Sequence, residues 1–261
     1  MPAPVKVLRG GQWGEALADL LAASPESAAA WMERHCELLK RDDYSRVGLL
    51  PLDGQPCYLK LYLAKSAWQK LGYRLGYGRG LRSFDAALAL LSEGLAVPRP
   101  RSCVLVAEGI LLLTEAIAGG RDLRALWGQL TPQAAPERLL GAAGDALAAL
   151  HAAGFSHGDA KWSNLLWAGS RFYLVDLEAV RRCRAPASGR PHPRQLKDLA
   201  RFTIDAEELG ASEGQFEAFL AAYLERAACG REQLICSLGP LLPPIRERHR
   251  RRYGTQPRPL V

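Results

Sequence analysis

Residues 47–65 read VGLLPLDGQPCYLKLYLAK, two apolar runs separated by Asp53-Gly54. Such a chain has little choice but to fold back on itself. A two-residue turn between strands needs positive φ at its centre, which Asp-Gly tolerates at little cost. Strands are therefore expected near 46–52 and 57–63, and a second pair, near 102–107 and 110–115, is joined by Glu108-Gly109. Around these hairpins lies helical sequence. Glu15 to Leu39 is rich in Ala and Leu and interrupted at Ser24-Pro25, and SFDAALALLSEGL ends at Gly94. Residues 72–82, GYRLGYGRGLR, read as a loop rich in glycine and arginine.

Beyond residue 115 the periodicity changes from strand to helix. A short helix is expected over 122–129, then a loop opening at Thr131-Pro132 and an amphipathic helix over about 136–153 that stops at Gly154. A polar loop, 155–167, leads into the short apolar strand of RFYLVDLEAV. After a loop from Pro186 to Pro193, two further helices are read in QLKDLARFTIDAEEL and GQFEAFLAAYLERAA, and then a basic, proline-flanked tail. The expectation is an α+β, two-lobed chain. It has a strand-rich N-lobe over 1–115, with a helical extension over about 1–43, and a helical C-lobe over 116–261.

Composition sets the bounds. With 48% hydrophobic and 23% charged residues, the 261-residue chain has the balance of a folded globular protein. No run approaches the ~18–20 apolar residues of a membrane helix, and the N-terminus lacks a secretory apolar core. A cytoplasmic protein is expected. The six cysteines are scattered, without a CxxC pair, and read as reduced, mostly buried small hydrophobes. The net charge of +7 favours an anionic partner, whether phosphates, a lipopolysaccharide or membrane surface, or nucleic acid. Nucleic acid ranks last, since no reading motif or aromatic platform accompanies the basic runs.

The stretch His157-Gly158-Asp159-Ala160-Lys161-Trp162-Ser163-Asn164 follows the apolar helix, and Asp176 lies 17 residues (176 − 159) beyond Asp159, at the end of a strand. Two acids and an amide brought together make an oxygen-rich site suited to Mg²⁺. Lys60, in a strand, adds a positive charge. Each residue alone has a plainer role: Asp159 and Asp176 in turns, Asn164 as a cap, Lys60 on a solvated strand face. Their order and spacing together outweigh those roles.

H-x-D-x-x-x-x-N, a strand ending in an Asp-containing triplet, and an upstream strand lysine resemble the protein-kinase-like fold. HGDAKWSN, Asp176-Leu177-Glu178 and Lys60 in CYLKLY stand at those places. HGDxKxxN, then YLVDLE, then KDLARF, with the run from Ser83 to Pro100, is most similar to the bacterial lipopolysaccharide core kinases. The resemblance covers roughly residues 44–225. It implies an ATP- and Mg²⁺-dependent kinase acting on a heptose or 3-deoxy-octulosonic acid sugar of the inner core, an anionic glycolipid, in peripheral contact with the inner membrane. It makes Asp159 the base toward the acceptor hydroxyl and Lys161 a contact of the γ-phosphate. Asn164 and Asp176 become metal ligands, and Lys60 the partner of the α- and β-phosphates. Leu113 to Ala116, with Glu115, resembles the segment whose backbone receives adenine.

Two departures from the pattern stand out. No GxGxxG precedes Lys60, so phosphate covering falls to the turn near Gly48 or to the basic stretch Arg74–Arg82. The helix glutamate expected to pair with Lys60 is missing, with Ser83 about where it should be; Asp85 and Glu93 are imperfect substitutes, Asp85 the favoured one. Two alternatives stay open: a small-molecule alcohol kinase of the aminoglycoside or choline type, and a nucleotide-binding pseudokinase scaffold. His157 and Asp198 read as braces of the loop, His151 as a satisfied helix-end histidine, Trp162 and Trp167 as core with sugar stacking as the rival role. Glu178 leans to a structural role. The tail arginines (Arg246, Arg248, Arg250, Arg251, Arg252) read as a solvated end, with contact to an anionic leaflet as the next reading.

Overall fold

The computed structural model describes residues 5–130, 135–183, 191–227, 229–254 and 258–261, with only the backbone of Arg252 and Tyr253. The expected loop at Thr131-Pro132, and residues 186–190 of the one expected from Pro186 to Pro193, lie outside the described residues. Contacts divide the chain into two compact units, one comprising Met1–Ser92 with Val97–Ala118, the other Glu93–Ala96 with Gly119–Val261.

The first unit is built on six strands: β1 (Lys6–Arg9), β2 (Glu37–Arg41), β3 (Ser45–Leu52), β4 (Gln55–Leu63), β5 (Pro100–Val106) and β6 (Gly109–Glu115). They form one antiparallel sheet in the order β1-β5-β6-β4-β3-β2. The Asp-Gly hairpin is present as read: Leu52 pairs with Gln55, and Asp53 and Gly54 take φ of 49° and 71°, the backbone of a type I′ turn. Helices α1 (Gly11–Ala22), α2 (Ala28–His35), α3 (Ala67–Arg74) and α4 (Arg79–Ser92) cover this sheet.

Strand alternation decides which core each side chain joins. Leu59, Leu61, Leu111 and Leu113 pack with Leu17, Leu21, Trp31 and Met32 of α1 and α2. Tyr62, Ile110, Leu112, Cys103 and Leu105, one pleat over, pack with Leu81 and Phe84 of α4 and Tyr73 of α3. Lys60, in register with Leu112, belongs to this second face by the same alternation.

Three expectations change here. The segment expected as a helical extension supplies both outer strands of the sheet, β1 and β2. Every residue of β2 is exposed, so the strand carries no apolar alternation to betray it. The stretch 72–82 is not one loop: it closes α3, turns at Gly76 (φ 83°) and opens α4. Its glycines serve packing, since a Cβ on Gly78 would lie 2.7 Å from the Tyr73 ring and one on Gly80 2.8 Å from Ile110. Gly48 sits within β3, where a Cβ would meet the Cys36 side chain at 2.8 Å. The turn between β2 and β3 is acidic, closed by Asp42 accepting from the Tyr44 and Ser45 amides, which disfavours phosphate covering there.

The second unit contains α5 (Leu123–Trp127), α6 (Pro136–Ala152), α7 (Pro193–Glu208), α8 (Glu213–Leu224), α9 (Arg231–Leu238) and α10 (Leu242–Tyr253). Its short strands are β7 (Arg121–Asp122), β8 (Phe155–Ser156), β9 (Leu165–Ala168), β10 (Arg171–Leu174) and β11 (Arg181–Arg182). They pair as β10-β9-β7 and β11-β8. Helices α6 and α8 approach so closely that a Cβ on Gly144 would lie 2.3 Å from the Phe219 carbonyl oxygen. An aromatic series, Trp127, Trp162, Phe202 and Phe219, runs from α5 through the polar loop and α7 to α8.

The tail is a solvated end only in part: Arg248, Arg250 and Arg251 are exposed, as expected, but Arg246 is not. It forms α10, whose Arg246 donates through Nε and Nη2 to the fully buried Glu207 carboxylate of α7, at 2.9 and 2.5 Å. Leu260 N–H also reaches Glu207, at 3.0 Å. Arg250 and Arg251 both donate to Glu247 and hold its carboxyl down to about 2. No described helix is long and apolar enough to cross a membrane. The six cysteines are free thiols, as expected, four of them buried, with Cys36 half-buried and Cys236 exposed.

Candidate active site

The polar loop between β8 and β9 is held from beneath by one carboxylate. Asp198, 1% exposed on α7, accepts from the backbone N–H of His157 at 2.6 Å and of Gly158 at 2.8 Å. It also meets His151 Nε2 at 3.3 Å. A carboxylate only accepts, so Nε2 carries the proton of that contact. Burial pushes the Tyr223 hydroxyl well above the usual phenol range, so it stays protonated and donates to His151 Nδ1 at 2.9 Å. Tyr223 on α8, His151 on α6 and Asp198 on α7 thus join three helices to one loop. Gln195 strengthens the join, donating to the His151 and Phe155 carbonyls at 2.9 and 3.0 Å. His151 and Asp198 were read as structural from the sequence and are so. Tyr223 and Gln195 gave no such signal, because each sits on a helix face that otherwise reads as core or solvent.

His157 is fully buried and shares its Nε2 with the Val175 carbonyl at 3.1 Å. Because a carbonyl accepts, Nε2 carries the hydrogen, and Nδ1 has no hydrogen-bond partner among the described residues. Burial depresses its basicity more than the nearby Asp198, Asp159 and Asp176 raise it, so the ring is a neutral strut. Gly158 follows with φ 83°, and a Cβ there would strike the Ala179 carbonyl at 2.7 Å. This glycine is required by both conformation and space.

The loop then presents its chemistry. Asp159 Oδ2 accepts from Asn164 Nδ2 at 3.1 Å and faces Lys161 Nζ at 3.0 Å, and the same amide of Asn164 holds the Asp159 carbonyl at 2.8 Å. The Asp159 side chain remains 40% exposed and that of Lys161 33%. Asn164 is buried and spends its amide hydrogens on Asp159, which leaves its Oδ1 as the oxygen donor. Val175 N–H donates to the Asn164 carbonyl at 3.1 Å, which brings the start of Asp176-Leu177-Glu178 beside the loop. Asp176 itself adopts left-handed φ and ψ of 62° and 52°, an uncommon conformation for a residue with a side chain. The four sequence-predicted residues Asp159, Lys161, Asn164 and Asp176 therefore belong to one locale. Among the described residues no three His, Cys, Asp or Glu side chains form a metal cluster. The donor set is two carboxylates and an amide, which fits Mg²⁺ sharing its shell with phosphate oxygens.

Trp162 is buried, donating from Nε1 to the Phe202 carbonyl at 3.2 Å, while its backbone N–H reaches the buried Asp205 of α7 at 2.8 Å. It is a core residue, and sugar stacking at this position is ruled out by its burial. Trp167 packs edge-on against Phe172.

The remaining predicted residues lie in the first unit. Lys60 Nζ sits 4.8 Å from the Tyr62 ring centroid, and the Arg79 guanidinium lies over that ring as well. Asp85 does not pair with Lys60: its ion pair is with Arg9, at 3.4 Å, with both side chains about half exposed. It faces outward from α4, so the substitution of Asp85 for the missing helix glutamate fails on geometry. Glu115 accepts from the Arg99 N–H at 2.9 Å, fixing the end of β6 against β5.

A sheet unit carrying a strand lysine, and a helical unit carrying an Asp-Lys-Asn loop followed by an Asp-bearing turn, define a protein-kinase-like fold. WaaP, solved in complex with acyl carrier protein, matches with a TM-score of 0.61 over 95% of this chain and 99% of that one, at 16% identity. At that identity the likeness speaks for the fold. The model of the lipopolysaccharide kinase (Kdo/WaaP) family matches residues 29–223. The chain belongs to that family. A 3-deoxy-D-manno-octulosonic acid kinase of Vibrio parahaemolyticus serotype O3:K6 (strain RIMD 2210633) is 29% identical over 128 residues, 47% of this chain and 51% of that protein. The match thus spans about half the length of that relative.

Proposed function

We propose that this protein transfers a phosphoryl group from ATP to a sugar hydroxyl of the lipopolysaccharide inner core. The observation that carries the reading is the setting of Asp159: its Oδ2 lies between Lys161 Nζ at 3.0 Å and Asn164 Nδ2 at 3.1 Å, on a loop pinned by Asp198. Phosphoryl transfer asks little covalent chemistry of a protein and much positioning and charge neutralisation. Asp159, partly exposed, orients the acceptor hydroxyl and takes its proton as the bond to phosphorus forms and the bond from phosphorus to the departing ADP oxygen breaks. Lys161 offsets the charge of the transferred group. Asn164 Oδ1 and Asp176 are the residues that would hold Mg²⁺, which when bound neutralises the phosphate oxygens. Lys60 is assigned to the α- and β-phosphates, and Glu115 to the segment that receives the adenine, on motif alone. Family membership supports a core sugar as acceptor, and the name of the matched relative favours 3-deoxy-octulosonic acid over heptose. A substrate of that kind places the enzyme on the cytoplasmic side of the inner membrane.

The test is incubation with Mg²⁺, labelled ATP and dephosphorylated core oligosaccharide. Label should pass to sugar, disappear with chelator, and fall by about 10²–10⁴-fold in Asp159→Asn with the fold intact. Nucleotide binding without transfer to any sugar would overturn the reading and leave a pseudokinase. Transfer to aminoglycoside or choline instead would move the protein to the small-alcohol kinases.

A further inference from the structure

Helix α3 carries large apolar side chains on two opposite faces. Tyr73 points inward and is 5% exposed, packed in the core between sheet and α4. Trp68 is 81% exposed, Leu71 44%, Leu75 64%, and Tyr77, in the turn that follows, 73%. At about 100° per residue, Trp68, Leu71 and Leu75 fall within an arc of about 60°, on the side away from Tyr73. Exposed apolar residues are ordinary when scattered singly; a contiguous group of this size marks an interaction surface.

Charge identifies the partner. From Gly54 to Phe84 the sequence contains no Asp or Glu but six cations: Lys60, Lys65, Lys70, Arg74, Arg79 and Arg82. Lys65, Lys70 and Arg74 are exposed on or beside α3, and Lys70 and Arg74 make no ion pair among the described residues. Both border a cleft against the ends of β5 and β6, at Leu105, Val106, Ala107 and Gly109. Tryptophan and tyrosine favour the headgroup level of a bilayer, with leucine below and lysine or arginine at the phosphates. An apolar protein groove would account for the leucines but not for the exposed lysines and arginine beside them in a stretch of sequence without acids.

We propose that α3 and the turn to Tyr77 form a membrane-docking surface, seating Trp68 at the headgroup level of an anionic bilayer with Leu71 and Leu75 just below it. The inference deepens the proposed function, because a kinase of a lipid-linked sugar must meet a bilayer, and it rests on that reading for its purpose. Its test does not. The 261-residue protein should sediment with vesicles of phosphatidylcholine and phosphatidylglycerol, and much less with phosphatidylcholine alone or at high salt.

The triple variant Trp68→Ser/Leu71→Ser/Leu75→Ser, checked for wild-type circular dichroism, should lose about tenfold or more in partitioning. Lys70→Gln/Arg74→Gln should weaken binding at low salt and change it little at high salt. Brominated lipid should quench tryptophan fluorescence of the wild type, and Trp68→Phe should bind while losing most of that quenching. Failure of the wild type to bind anionic vesicles, or undiminished binding by the serine variant, overturns the proposal. Self-association abolished by the serine variant, without vesicle binding, would assign the face to a second copy and overturn it too. Phosphorylation of delipidated core sugar separates the two ideas. Transfer without vesicle binding sinks the docking surface alone, and vesicle binding without transfer sinks the kinase reading alone.

Discussion

At the scale of single residues, Asp159 depends on groups that never touch a substrate. Asp198 satisfies two backbone N–H groups of the loop from a fully buried position. Asp198→Ala should leave both donors and His151 without their acceptor, costing about 3 kcal/mol in denaturant unfolding. Activity should fall with it, even though the Asp159 side chain is unchanged. If stability is kept, the brace is not what holds the loop. Much of this site was legible in the sequence because H-G-D-x-K-x-x-N is a local pattern, and local spacing fixes which side chains share a loop. The bracing partners Tyr223 and Gln195 were not legible. They lie 72 and 44 residues from His151, and only packing of α6, α7 and α8 brings them to it.

At the scale of elements, the same division recurs. Helix α6 was readable from its periodicity, its Pro136 start and its Gly154 stop, but its partner was not. Gly144 permits the approach to α8, and Gly144→Ala should cost about 1–3 kcal/mol, since the new Cβ meets backbone that cannot rotate away. Thermal unfolding would show it, and an unchanged midpoint would mean the helices separate freely. Helix α10 was hidden behind two prolines and a run of arginines. Its docking rests on the bidentate Arg246–Glu207 pair, so Arg246→Ala should leave a buried carboxylate largely unpaired and cost about 3–5 kcal/mol. A surface pair would cost far less, which makes denaturant titration a clean test.

At the scale of the whole molecule, buried ionisable groups set how stability responds to pH. His157 is less basic in the fold than its usual value of 6.5, so the unfolded chain binds a proton that the folded chain refuses. Its contribution is present above that value and is lost as pH falls below it toward the depressed folded value. Asp205 runs the other way: burial raises its carboxyl above 3.8, and the folded chain takes up a proton first. The loss due to the histidine begins as pH falls through about 6.5. The histidine's share of the unfolding free energy should therefore decline as pH falls below that value, and His157→Gln, which can still donate to the Val175 carbonyl, should flatten the slope there. An unchanged slope would show that the ring is protonated in the fold.

The sequence alone determined what depends on neighbours along the chain: the Asp53-Gly54 hairpin, the strand alternation that sorts two cores, the two ends of α6, and the Asp159–Asn164 loop. Tertiary structure alone decided what depends on partners distant in sequence. It made exposed β2 and four-residue β1 the edges of a sheet, turned a glycine-rich stretch into closely packed helix ends, and gave Asp85 to Arg9. It also folded the arginine tail onto Glu207. Backbone pairing and charge pairing carry no periodicity of their own, so a residue's partner appears only when the chain has closed around it.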